Sequence, residues 1–187
     1  MSTNSLFKPF KSDKLELKNR IVMAPMTRNF SPGNVPGQNS IDYYRRRAEG
    51  GVGLIVTEGT CIDHIGASGY PNVPYMHGEA RLAGWKKVIE AVHAAGGKIA
   101  PQLWHVGGAR KAGVMPEGDV PGYTPSGMFV AGKKNRHEMS KQDIQDVIDG
   151  FAKGAADAKA IGFDAIALHG APGYLIDQFF WDGPTQR

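Results

Sequence analysis

Short apolar runs alternate along the chain with segments of helical period. Residues 15–17, followed by Asn19-Arg20, predict a short strand and turn, and residues 21–24 a buried strand stopped by Pro25. A helix is predicted over 40–49, with Ile41, Tyr44 and Ala48 on one face, ended by Gly50-Gly51. Residues 52–57 form a continuous apolar run, as in a strand buried on both faces. A loop is expected over 59–77, then a helix over 79–95 with Leu82, Trp85, Val88, Ile89 and Val92 at helical spacing. A strand follows over 98–103, and then a long stretch, 104–139, rich in glycine and proline and without a period of its own. Ser140 to Asp143 resembles a capping box with Asp in place of Glu. The helix it opens carries the stripe Ile144, Val147, Ile148, Phe151, Ala155 and Ala158 and closes at Gly162. A strand is predicted over 163–168 and the start of a helix over 174–180.

Buried strands alternating with amphipathic helices imply a parallel α/β sheet. Doubly wound folds and (β/α)8 TIM-type barrels both fit. No G-x-G-x-x-G follows a strand, which counts against a dinucleotide-binding Rossmann unit. No domain boundary or low-complexity tract interrupts residues 1–187.

Composition changes this picture little. The net charge of +4 is small and spread out, which gives no reason to expect nucleic acid; Arg45 to Arg47 form a solvated helix face. One cysteine, Cys61, excludes an intrachain disulfide. With no long apolar run and no leader pattern, the expectation is a cytoplasmic protein with no membrane association.

In a barrel, chemistry gathers just past the C-terminal ends of the strands. Four segments fall there: Ala24 to Arg28, Thr57 to Thr60, Gln102 to His105, and His169 to Tyr174. Pro25 and Gly59 suit close backbone approach to a flat ligand, and Thr27 can donate to a carbonyl oxygen. Gln102 can donate and accept at once, as the edge of a flavin or pterin ring requires. His169 and Tyr174 can each polarise a carbonyl or deliver a proton. Trp104 is core packing or a cofactor wall. His64, His77 and His105 lack metal-ligand spacing, so no metal site is expected.

These segments resemble the Old Yellow Enzyme family of FMN-dependent ene-reductases and NAD(P)H:flavin oxidoreductases. The resemblance is carried by Leu6 to Pro9, by Leu17 to Arg28, by Thr57-Glu58-Gly59-Thr60, by Gln102-Leu103-Trp104-His105-Val106-Gly107, and by His169 to Phe179. It implies a (β/α)8 TIM-type barrel, of which this chain supplies about the first four βα units. By that resemblance Pro25, Met26 and Thr27 line FMN, Gly59 lies by its ring, and Gln102 binds its pyrimidine edge. His169 binds the ring side and the carbonyl or nitro oxygen of a substrate, and Tyr174 gives the proton. NADPH or NADH would be the reductant, and activated alkenes or nitro compounds the substrates.

Two residues depart from the family pattern. Pro172 stands where the family has His or Asn, and proline has no donor to help His169 grip an oxygen. Pro184 stands in a stretch that usually reads Gly-Thr-Asn-x-Arg. A barrel needs eight strands and about 250 residues, so the expected partner is a complementary C-terminal half barrel or a second copy. The alternative is a half barrel that associates without catalysing anything and binds FMN weakly or not at all.

Overall fold

A computed structural model describes residues 3–113, 118–182 and 185. Pro184 lies outside the described residues. Four parallel strands make the central sheet: β1 (Val22–Met23), β2 (Leu54–Cys61), β3 (Lys98–Trp104) and β4 (Ala167–Leu168). They lie side by side in chain order. Three helices connect them, α1 (Gln38–Glu49), α2 (Glu79–Ala94) and α3 (Lys141–Ile161), and a short α4 (Leu175–Gln178) follows β4. A doubly wound sheet reverses its strand order at a switch point. This sheet does not, and successive order is what a barrel requires.

The core lies between the two central strands and their helices. Ile55, Ile99 and Leu103 meet Trp85, Val88 and Val92 of α2, all with no exposure. The outer strands are only two residues long, and Val22 and Leu168 are 51% and 59% exposed, so both margins of the sheet are open.

Besides a β4 confined to Ala167–Leu168 where the sequence predicts a strand over 163–168, the observed elements differ from the sequence expectation in three places. First, β2 runs on to Cys61, through the Thr57–Thr60 segment expected to lie beyond it. Second, the 104–139 stretch is folded: Tyr123–Thr124 pairs with His137–Glu138, and Met128–Val130 with Lys133–Lys134. These pieces are too short to show a period. Third, only part of the apolar stripe of α3 faces the sheet. Val147, Gly150, Gly154 and Ala158 are the buried positions, because small residues let the helix approach Ile62 and Leu103. Ile144, Ile148 and Phe151 instead line a groove of about 400 Å³ with Leu168, Phe179 and Phe180. The capping box at Ser140 forms: the Asp143 N–H donates to Ser140 Oγ at 3.1 Å, and the Ser140 N–H to Asp143 Oδ2 at 2.6 Å.

Candidate active site

The site begins with a proline in a central strand. Pro101 has no N–H to give to the β2–β3 ladder. Pairing runs from Val56–Ala100 and resumes at Gly59–Gln102, so Thr57 and Glu58 together oppose Pro101 as a bulge. Thr57 Oγ1 restores the connection by accepting the Gln102 N–H at 3.2 Å. The bulge leaves Gly59 facing the Trp104 indole: a Cβ there would sit 2.4 Å from Trp104 Cε3. The need for glycine is thus filled from within the protein, by a tryptophan that is itself 1% exposed.

The same bulge brings Glu58 under the loop that follows β1. Its carboxylate accepts the Arg28 backbone N–H at 3.1 Å, Arg28 Nε at 3.1 Å and Arg28 Nη2 at 3.0 Å. The two side chains are 12% and 1% exposed, so this is a buried ion pair, with both guanidinium donors on Oε1 and the backbone N–H on Oε2. Tyr44 of α1 donates to Glu58 Oε1 at 3.4 Å and accepts the Glu58 N–H at 3.0 Å. Burial, then the Glu58 charge, pushes the Tyr44 phenol far above its ordinary value. Arg28 also donates to Ser40 and lies 4.0 Å from the Tyr43 ring centroid. Anchored in this way, the preceding Pro25, Met26 and Thr27 stand exposed beyond the end of β1.

Beyond β3 and β4 an aromatic wall forms around Trp104. Tyr70 and His169 stack on its indole at 5.4 and 5.6 Å between centroids, and Tyr174 meets it edge-on at 5.0 Å. The rings of His169 and Tyr174 lie 4.7 Å apart, and the Tyr70 and Tyr174 hydroxyls are 3.3 Å apart. Burial, then the hydrogen bond with Tyr70, pushes Tyr174 up to about 12, so it keeps its proton at neutral pH. Burial lowers His169 below the ordinary imidazole value. Its Nδ1 accepts the Ala171 N–H at 3.4 Å, which leaves the Nε2–H to donate. Pro172 is exposed in the turn between these two residues and offers no donor. Among the described residues, the Gln102 amide and Thr27 hydroxyl have no side-chain hydrogen bond, so both are free to meet a ligand.

The residues expected past four strands therefore do share one end of the sheet, with Gln102 registered between Gly59 on β2 and Ala167 on β4. Sequence reasoning missed the partners beneath them. Charged Glu58 inside an apolar run was a readable signal, but its partners Arg28 and Tyr44 lie 30 and 14 residues away. A second pair joins buried His105 to half-buried His64. His105 Nδ1 accepts the Gly107 N–H at 3.0 Å, so its Nε2–H faces His64 Nδ1 at 2.9 Å. Burial, then His64 and Arg110, hold His105 well below the usual imidazole range.

The family model described as the NADH:flavin oxidoreductase / NADH oxidase family matches residues 5–187. The 12-oxophytodienoate reductase 7 of Oryza sativa subsp. japonica is 37% identical over 97% of this chain and 49% of its own length. The 12-oxophytodienoate reductase 2 of Arabidopsis thaliana is 34% identical over 97% of this chain and 51% of its own. A solved morphinone reductase, in complex with tetrahydroNAD, superposes with a TM-score of 0.87 at 36% identity. It covers 98% of this chain and 54% of that one. The chain thus spans about half the length of the relatives it matches.

Proposed function

The chain belongs to the NADH:flavin oxidoreductase / NADH oxidase family, the Old Yellow Enzyme family, and on that premise we propose that it is the flavin-binding and proton-donating half of an FMN-dependent ene-reductase. The observation that carries this reading is that Thr27, Gln102, His169 and Tyr174 come from the C-terminal ends of β1, β3 and β4 of one parallel sheet, with His169 and Tyr174 against the Trp104 indole.

The free groups fit FMN. Pro25, Met26 and Thr27 would line the ring system, the Gly59 backbone would lie by the ring although its Cα faces Trp104, and the Gln102 amide would match the donors and acceptors of a pyrimidine edge. FMN, when bound, supplies the redox chemistry between NADH or NADPH and an activated C=C bond of an enone or nitro compound. His169, neutral, donates its Nε2–H to the substrate's carbonyl or nitro oxygen, and so draws charge away from the alkene. Tyr174, protonated across the working pH range, gives its proton to the alkene carbon. Pro172 adds no second donor beside His169, so the oxygen is held less tightly than by a pair of side chains.

FMN phosphate has no evident site among these residues. We therefore assign it, and the covering of the groove between α3 and α4, to a complementary half barrel or a second copy of this chain. No helix of the described residues is long and apolar enough to cross a membrane. Pro172 and the exposed Phe180 (80%) favour a second reading, a half barrel that associates without catalysis.

One experiment separates the two. The purified chain is examined by visible absorbance and solution mass, with and without added FMN and with the remaining half of a relative supplied as a separate polypeptide. A flavin band co-eluting with the protein, and NADPH-dependent enone reduction in the complemented sample, support the enzyme. A colourless protein that takes up no FMN in either state sinks it.

A further inference from the structure

Tyr174 sits where three backbone contacts converge. The Leu175 N–H donates to the His105 carbonyl at 3.2 Å, which ties the start of α4 to the end of β3. On the other side of Tyr174, Gly173 is held at both ends of its peptide. Its N–H donates to Asp177 Oδ2 at 2.8 Å, and its carbonyl accepts from Gln178 Nε2 at 2.9 Å. Gln178 is 1% exposed, and its Oε1 accepts the Gly108 N–H at 3.0 Å. One buried amide therefore bridges the loop after β3 and the turn carrying Tyr174. The packing around it leaves no slack. Gly107 has φ +60°, and a Cβ there would lie 2.5 Å from Gln178 Oε1.

We propose that Gln178 is the positioning residue for Tyr174: it holds the Gly173 carbonyl against the loop after β3 and so fixes the phenol in the aromatic wall beside His169 and Tyr70. Burying a side-chain amide demands partners for both its donor and its acceptor, and Gln178 finds them on two different loops. An apolar residue of the same size would fill the space but free the turn. The role of the phenol rests on the reading of Tyr174 as the proton donor; the clamp itself rests on the contacts alone.

The test uses the 187-residue chain with isotope-labelled aromatic residues. In the wild type, nuclear Overhauser contacts join the ring of Tyr174 to those of Tyr70, Trp104 and His169 at neutral pH. Gln178→Met keeps the volume but removes the donor and the acceptor. Those contacts are expected to disappear while the backbone resonances of the central strands stay in place. Gln178→Glu keeps an acceptor for the Gly108 N–H, but it can donate to Gly173 only when protonated. The contacts are expected to be lost with the carboxyl ionised and to return as the pH falls through its titration. That rescue decides the matter should the Met variant not fold. Unchanged Tyr174 contacts in either folded variant, with the Glu carboxyl ionised, overturn the proposal. The acid role is judged separately, by Tyr174→Phe in the FMN-loaded, complemented enzyme. Contacts that respond to Gln178, together with full turnover in that variant, leave the clamp standing and remove only the proton-donor reading.

Discussion

At the β1 margin, the loop bearing Pro25, Met26 and Thr27 is tied down by charge: Arg28 grips Glu58 with three nitrogen donors from below. At the β4 margin, the turn bearing His169 and Tyr174 is tied down without an ion pair, by the Gln178 amide, the His105 carbonyl and the Asp177 carboxylate that accepts the Gly173 N–H. Both outer strands are two residues long, so neither can hold its loop by ladder bonds alone. The difference teaches where each margin is weak. A buried ion pair tolerates the loss of both charges better than the loss of one. A buried amide fails wherever a single partner is withdrawn.

The largest effect should therefore come from halving the ion pair. Glu58→Ala is expected to destabilise by about 3–5 kcal/mol in urea unfolding, because the Arg28 cation is left buried and unpaired. Arg28→Leu combined with Glu58→Leu should recover most of that loss. If the double variant is as unstable as the single one, desolvation is not what governs the β1 margin. Next comes the β4 margin. Gln178→Met strands the buried Gly108 N–H, at about 1–3 kcal/mol, while the part-buried Gly173 carbonyl can turn to water. A loss larger than that of Glu58→Ala would reverse the contrast.

Gly59 joins the two margins through Trp104. Gly59→Ala should destabilise by about 1–3 kcal/mol through overpacking, and it should alter the near-ultraviolet circular dichroism of the displaced indole. An unaltered spectrum would mean that Trp104 yields freely. The smallest effect is a dependence on pH. The value of His105 in the folded state is depressed, so just below pH 6.5 only the unfolded chain takes up the proton. Stability from this group is complete above about pH 6.5 and falls below it, with a slope approaching about 1.4 kcal/mol per pH unit. His105→Asn should flatten that slope. Hydrogen exchange should show the β4 margin loosening before the β1 margin as acid is added. Simultaneous loosening would place the acid-sensitive group elsewhere.

How much of this was legible follows from the range of each signal. The helix faces of α1 and α2 repeat locally, so Tyr44, Trp85, Val88 and Val92 were found as core from spacing alone. The positions of Thr27, Gln102, His169 and Tyr174 followed from strand ends, because an α/β unit always delivers its next residues to the same side. The bulge was hidden. An apolar run reads as a strand, but nothing local says that Pro101 on the neighbouring strand will push out two residues opposite it. The clamps were hidden for the same reason, since Arg28–Glu58 and Gly108–Gln178 join residues 30 and 70 apart. The division of the α3 stripe was also invisible, because Ile148 reads as core until Gly150 and Gly154 show which face the sheet takes.

The bulge at Thr57 and Glu58 also bears on how this segment can change over generations. Side chains along a strand alternate, and the bulge absorbs its extra residue so that Gly59, Thr60 and Cys61 still pair in step with Gln102, Leu103 and Trp104. Deleting one codon here would leave Gly59 opposite Gln102 but would set a single residue squarely against Pro101, which has no N–H to give it. A compensating change at Pro101, returning an N–H to the ladder, would make the unbulged strand workable. The proline and its extra residue are thus expected to be inherited, or lost, together.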